Sequence, residues 1–193
     1  MKKNKPNYKF LYRNKFLSLC QSNHNFIFAQ RRNINSTASL CYKNVNNSYH
    51  FLLRYQPLPV SLTTPNKKWN DLFPCPITGS LEKQQKPLDN AIQEIFEEAN
   101  IVVNKNNLVA HNFTIATTQM NEIVFNFVFD ITNCQTINKI SGDRSIFEKY
   151  SQNKWVTIKQ LKKIISNQSQ YYFLSSLLNC FYLFELKNGK IEK

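Results

Sequence analysis

Acidic residues are missing from the first seventy positions of this 193-residue chain, and glycine occurs only three times. No apolar run is long enough to span a bilayer, so no membrane partner is expected. The most apolar stretch, YYFLSSLLNCFYLF at residues 171–184, is short and broken by Ser and Asn, which predicts a buried terminal helix. The start, MKKNKPNYKFLYRNKFLSLCQ, is basic but lacks a continuous apolar centre and a small-residue cleavage site, which excludes a secretion signal. Its freedom from acids leaves a mitochondrial presequence open. Cysteine is scattered: Cys20, Cys41, Cys75, Cys134 and Cys180 form no C-x-x-C pair, and His24, His50 and His111 lie far from them and from one another. A zinc site and a disulfide scaffold are thereby excluded, and free thiols in a cytoplasmic protein are expected.

What is present divides unevenly. Residues 1–70 carry twelve Lys/Arg and no Asp/Glu, a charge of +12, whereas residues 71–193 carry thirteen basic and twelve acidic residues, +1. A cationic half attracts nucleotides, polyphosphate or RNA. A genome rich in Lys and Asn codons accounts for the same bias, and Asn is abundant throughout.

A 42% hydrophobic chain of this length fills one ordinary core. Short aromatic and apolar runs, YKFLYRNKFLSLCQ, NFIFAQRR, TASLCYKN and YHFLLRYQPLPV, read as successive strands separated by Asn/Ser-rich turns such as NVNNS. Residues 1–35 thus form an amino-terminal strand region. Pro65, Pro74 and Pro76 predict a loop over residues 63–76. IVVN, NFTIATT and EIVFNFVFDIT are further strands, the last one strongly apolar and central. NCQTINKISGDRSIFEKYSQN is a long surface connection, and KWVTIKQLKKIISN a short strand, a Thr157 cap and a helix with Ile158, Leu161, Ile164 and Ile165 inward. One mixed α/β domain spanning residues 1–193 is the economical reading.

Between these strands, Leu88, Ala91, Ile92, Ile95 and Ala99 recur at helical spacing behind Pro87, which suits the first turn, and Asp89, which suits the positive end of the dipole. Asn100 is a natural left-handed terminator. The opposite side crowds Glu94, Glu97 and Glu98 into an arc of roughly 100°. Each like-charged pair at this spacing costs a few tenths of a kcal/mol, and no Lys or Arg lies between residues 87 and 104 to relieve it. The face is either simply solvated or neutralised by a divalent cation, and oxygen ligands select Mg²⁺, Mn²⁺ or Ca²⁺.

The surrounding spacing resembles the Nudix box, G-x5-E-x7-R-E-U-x-E-E-x-G-U with U a bulky aliphatic. Here Gly79 is followed after five residues by Gln85, and after seven more by Gln93-Glu94-Ile95-Phe96-Glu97-Glu98-Ala99-Asn100-Ile101, with no gap over residues 79–101. Three positions depart: Gln85 stands for the loop glutamate, Gln93 for the arginine and Asn100 for the closing glycine. Losing an acid and a base together preserves the local charge balance, which links the first two. Flanking segments look like the ADP-ribose pyrophosphatase-like branch, although the proline usual about sixteen residues after the box is absent from ATTQ at residues 116–119.

This resemblance implies an α/β/α sandwich with a mixed β-sheet. It also implies a hydrolase that cleaves the diphosphate of a nucleotide-derived small molecule with Mg²⁺ or Mn²⁺. Glu94, Glu97 and Glu98 would be the metal ligands, with Glu97, Glu98 and Glu122 as the catalytic carboxylates. Gly79, Arg54 and Tyr55 would contact substrate. Relatives are often homodimers. The basic first half keeps an RNA 5′-end substrate in view, and the two glutamines keep in view a catalytically silent nucleotide-binding module.

Overall fold

The computed structural model describes residues 7–137, 149–166 and 172–188. Its first element departs from expectation. YKFLYRNKFLSLCQ is a hairpin rather than one strand: β1 (Tyr8–Arg13) and β2 (Leu17–Ser22) pair antiparallel. Asn14 makes the turn, its Oδ1 accepting from the Phe16 and Leu17 amides at 2.8 Å each. With β3 (Ile27–Arg31) they form a three-stranded sheet. That sheet joins the body through the Ala29 amide, which donates to the Gln119 carbonyl at 2.8 Å.

The main sheet is built on β4 (Ser36–Val45) and β5 (Ser48–Pro57), joined by Asn46 and Asn47 at φ 50° and 61°, a two-residue turn that Asn tolerates. The two strands then diverge. β6 (Leu72–Cys75) pairs with the far end of β5, and β7 (Ile77–Ser80) with the start of β4. The expected loop over residues 63–76 therefore ends in a strand, β6. Pro76 sits at the corner between β6 and β7, and Pro74 faces Tyr55 in a strand paired on one side among the described residues, where a missing N–H costs little.

Helix α1 (Pro87–Ala99) follows, ended by Asn100 at φ 57° with its amide on the Phe96 carbonyl. The expected strand IVVN contributes only an isolated bridge, Ile101 to Thr136. β8 (Leu108–Ile115) and β9 (Ile123–Asp130) form a hairpin, and β9 runs parallel to β4, giving the mixed order β10-β5-β4-β9-β8. Much of the expected long connection after β9 lies outside the described residues. β10 (Gln152–Thr157) leads into α2 (Ile158–Ile165) through a reciprocal Thr157/Gln160 cap, and α3 (Ser175–Lys187) closes the described fold.

Because strand side chains alternate, β4 feeds two cores. Ala38, Leu40 and Tyr42 pack with Phe51, Leu161, Leu177 and Phe184 beneath α2 and α3. Cys41 packs with Ile77, Ala91, Ile95 and Phe129 beneath α1. The Phe184 ring lies 4.9 Å from both Tyr42 and Phe51, edge to face. Helices cover both faces of a mixed sheet, an α/β/α sandwich. Among the described residues no helix is long and apolar enough to cross a membrane.

Candidate active site

The β7 strand brings Gly79 under α1, and the space a side chain would take is already filled. A Cβ on Gly79 would fall on the Glu94 carboxyl. The bare glycine thus lets the Glu94 carboxyl lie against β7, and a larger residue there would push that carboxyl aside. Gly79 and Ser80 also line a cavity of about 470 Å³ between β4, β7, the β8–β9 hairpin and the start of α3.

The two glutamines that replace the box's usual charges are hydrogen-bonded to each other. Thr37 Oγ1 donates to Asn90 Oδ1 at 2.6 Å, and Asn90 Nδ2 donates to Gln85 Oε1 at 3.1 Å. Gln85 Nε2 donates to Gln93 Oε1 at 3.1 Å, and Gln93 Nε2 to Glu97 Oε1 at 2.8 Å. All four bonds point the same way and end on a carboxylate. A neutral relay thus orients Glu97 with no net charge in the linkage. Gln84, at φ 71°, turns the loop just before this relay.

Glu98 is neutralised from within the chain. Arg54 Nε approaches Glu98 Oε2 at 3.2 Å, as a charge contact rather than an aligned hydrogen bond, and the two side chains are only 8% and 13% exposed. Arg54 Nη1 and Asn153 Nδ2 also donate to the Glu98 carbonyl, at 3.4 and 2.6 Å. A cation and an amide thereby satisfy one of the orphan carbonyls at the negative end of α1. The relief that seemed to require an external cation is supplied in part by β5.

Arg54 and Tyr55 do not share a surface. Successive residues of β5 face opposite sides; Arg54 turns to α1, while Tyr55 packs against the core under α2 and α3 with the Lys154 ammonium 4.8 Å from its ring. Glu122 is buried at the cavity wall. Its Oε1 accepts from Ser36 Oγ at 2.6 Å and from Arg31 Nη1 at 3.2 Å, and Arg31 Nη2 donates to Ser80 Oγ at 2.7 Å. Arg31, Ser36, Thr37 and Asn90 are the residues that sequence reasoning missed. Asn90 left a trace, since a poor helix former beside an apolar stripe asks for a partner.

Three carboxylates on one helix are a hard-oxygen donor set of the kind that suits Mg²⁺ or Mn²⁺, and the Glu94 carboxyl lies against Gly79. Among the described residues no three His, Cys, Asp or Glu side chains converge as a ready-made cage. Burial pushes the Cys75 and Cys180 thiols up to about 12 and Cys41 higher still, which keeps these three protonated at neutral pH.

No protein-family model matches the sequence, and no curated protein sequence does. Among solved structures, the crystal structure of an ADP compounds hydrolase is similar in fold, with a TM-score of 0.57 at 13% identity over 97% of this chain and 95% of that one. The likeness is one of architecture: the chain has a Nudix-like α/β fold.

Proposed function

We propose that the protein is a metal-dependent hydrolase that cleaves the diphosphate of a nucleoside diphosphate derivative, releasing a nucleoside monophosphate and a phosphorylated second half. The observation that carries this reading is the fit of the Glu94 carboxyl into the space left by Gly79, in a loop and helix that keep the box spacing without a gap.

In this reading Glu94, Glu97 and Glu98 hold Mg²⁺ or Mn²⁺, and the amide relay fixes Glu97 for that task. When bound, the cation would neutralise charge on the diphosphate and lower the pKa of the attacking water. Glu122 takes the proton at a carboxylate oxygen, with Ser36 and Arg31 holding its orientation. Arg31, exposed to the cavity, also supplies positive charge beside the diphosphate.

A second reading, a nucleotide-binding module without turnover, draws on the pairing of Glu98 with Arg54 and on the two glutamines. A substrate panel separates the two. ADP-ribose, NADH, diadenosine polyphosphates, NDP-sugars and triphosphorylated RNA are incubated with Mg²⁺ or Mn²⁺, alongside the Glu97→Gln and Glu98→Gln variants. Hydrolysis of one class that both variants abolish supports the enzyme and names its substrate. Ligand binding with no turnover of any compound would leave the silent module.

A further inference from the structure

Helix α3 starts without a cap. Leu174 stands at its N-cap, and its side chain has no acceptor to offer the first-turn amides. The Leu177 amide turns back to the Leu174 carbonyl at 2.9 Å, whereas the Ser175 and Ser176 amides donate to no other group among the described residues. The Ser176 side chain points to the same vacancy. It lies on the inner face of α3, one turn before Cys180, and is only 7% exposed. Its hydroxyl makes no hydrogen bond among the described residues. A buried hydroxyl without a partner costs free energy until something satisfies it. Both serines line the cavity of about 470 Å³ that Arg31 also faces.

We propose that the start of α3 is a subsite for a phosphoryl group, held by the Ser175 and Ser176 amides and the Ser176 hydroxyl. All three are donors at the positive end of the helix dipole, so their complement is an anion with several acceptor oxygens. The charges of the cavity favour the same ligand. Its ionisable wall residues, Arg31 and Glu122, are paired with each other at 3.2 Å, which leaves the positive helix end uncompensated. A cavity of this size belongs to the class that holds small organic ligands, so a phosphate ester has room there as well as free phosphate. The subsite uses none of Glu94, Glu97 and Glu98 and no metal, and it stands whether or not the chain hydrolyses a diphosphate.

The test is amide NMR on the full, nitrogen-labelled chain in EDTA at constant ionic strength, titrated with inorganic phosphate, ribose 5-phosphate, ribose or chloride. The expected result is saturable movement of the Ser175 and Ser176 amides with both phosphates and none with ribose or chloride. Tighter binding of ribose 5-phosphate supports the subsite and assigns it to an ester. Equal or tighter binding of inorganic phosphate supports it and assigns it to the free ion. Ser176→Ala should weaken binding roughly tenfold, the loss of one hydrogen bond to a charged group. Ser176→Asp sets a carboxylate on the same donors, so it should abolish the response at Ser175 while holding or raising the melting temperature. If the aspartate variant fails to fold, the alanine variant decides. Three results would overturn the proposal: no saturable movement of the two amides, the same movement with chloride, or phosphate affinity unchanged by substitution of Ser176. None of these readouts depends on turnover, so failure here is distinct from failure of the hydrolase reading.

Discussion

Two arginine–glutamate pairs frame the site, and they differ in how far water reaches them. Arg54 and Glu98 are 8% and 13% exposed, and the arginine also ties down the end of α1. Arg31 and Glu122 are 35% and 8% exposed, and the arginine faces a cavity of about 470 Å³. The same chemistry serves opposite ends. A dry pair locks one packing arrangement, because either partner alone would be a stranded charge. A pair with one wet partner can exchange that partner for a ligand at small cost. On the proposed function, Arg54 therefore holds the fold, whereas Arg31 faces the space a substrate would take.

The sharpest way to break this contrast is to remove each arginine. Arg54→Met should cost about 3–5 kcal/mol of stability by leaving Glu98 buried and unpaired, read as a lowered urea midpoint. Arg31→Met should shift that midpoint far less and appear instead in kcat/KM. Equal stability losses would collapse the distinction. Next in size, Glu122→Gln should lower kcat by about 10²-fold or more with an almost unchanged melting temperature. Gly79→Ala should push the Glu94 carboxyl aside, lowering turnover with little change in the urea midpoint. Smaller again is the coupling within the relay. Gln85→Glu and Gln93→Arg should each impair activity alone, and the double variant should recover it, with an interaction of about 1 kcal/mol in the cycle.

The smallest effect near neutral pH comes from two buried thiols, Cys75 beside the Arg54–Glu98 pair and Cys180 in the core under α2 and α3. Burial holds Cys75 and Cys180 up at about 12, above the ordinary value of 9.0, so unfolded chains lose these protons first. Their contribution is complete below pH 9 and is lost as pH rises from 9 towards 12. The urea midpoint should be flat with respect to thiol ionisation between pH 7 and 8 and fall above pH 9. Cys75→Ala/Cys180→Ala should flatten that fall.

Local signals were legible where one residue decides a conformation. Pro87 opens α1, Asn100 ends it in the left-handed region, Thr157 caps α2, and Asn46–Asn47 turn the central hairpin. The spacing from Gly79 to Ile101 also foretold a loop and helix that the fold retains. Long-range partners were not legible. Nothing local says that Arg54 crosses to the end of α1, or that Arg31 reaches Glu122 ninety-one residues away. The prolines misled for a related reason. Pro74 and Pro76 forbid a fully paired interior strand, but a corner and a strand paired on one side tolerate both. The break in KFLYRNKF is carried by Asn14 alone and is masked in the sequence by the apolar run that continues on either side of it.

The most direct measurement is release of nucleoside monophosphate from ADP-ribose by wild type and Glu97→Gln, with Mn²⁺ titrated from zero and phosphorus NMR as the readout. The account predicts monophosphate only with the cation and the intact glutamate, at a rate that saturates with Mn²⁺. Turnover that persists in Glu97→Gln, or that ignores Mn²⁺, would contradict the assignment of this helix face as the catalytic centre.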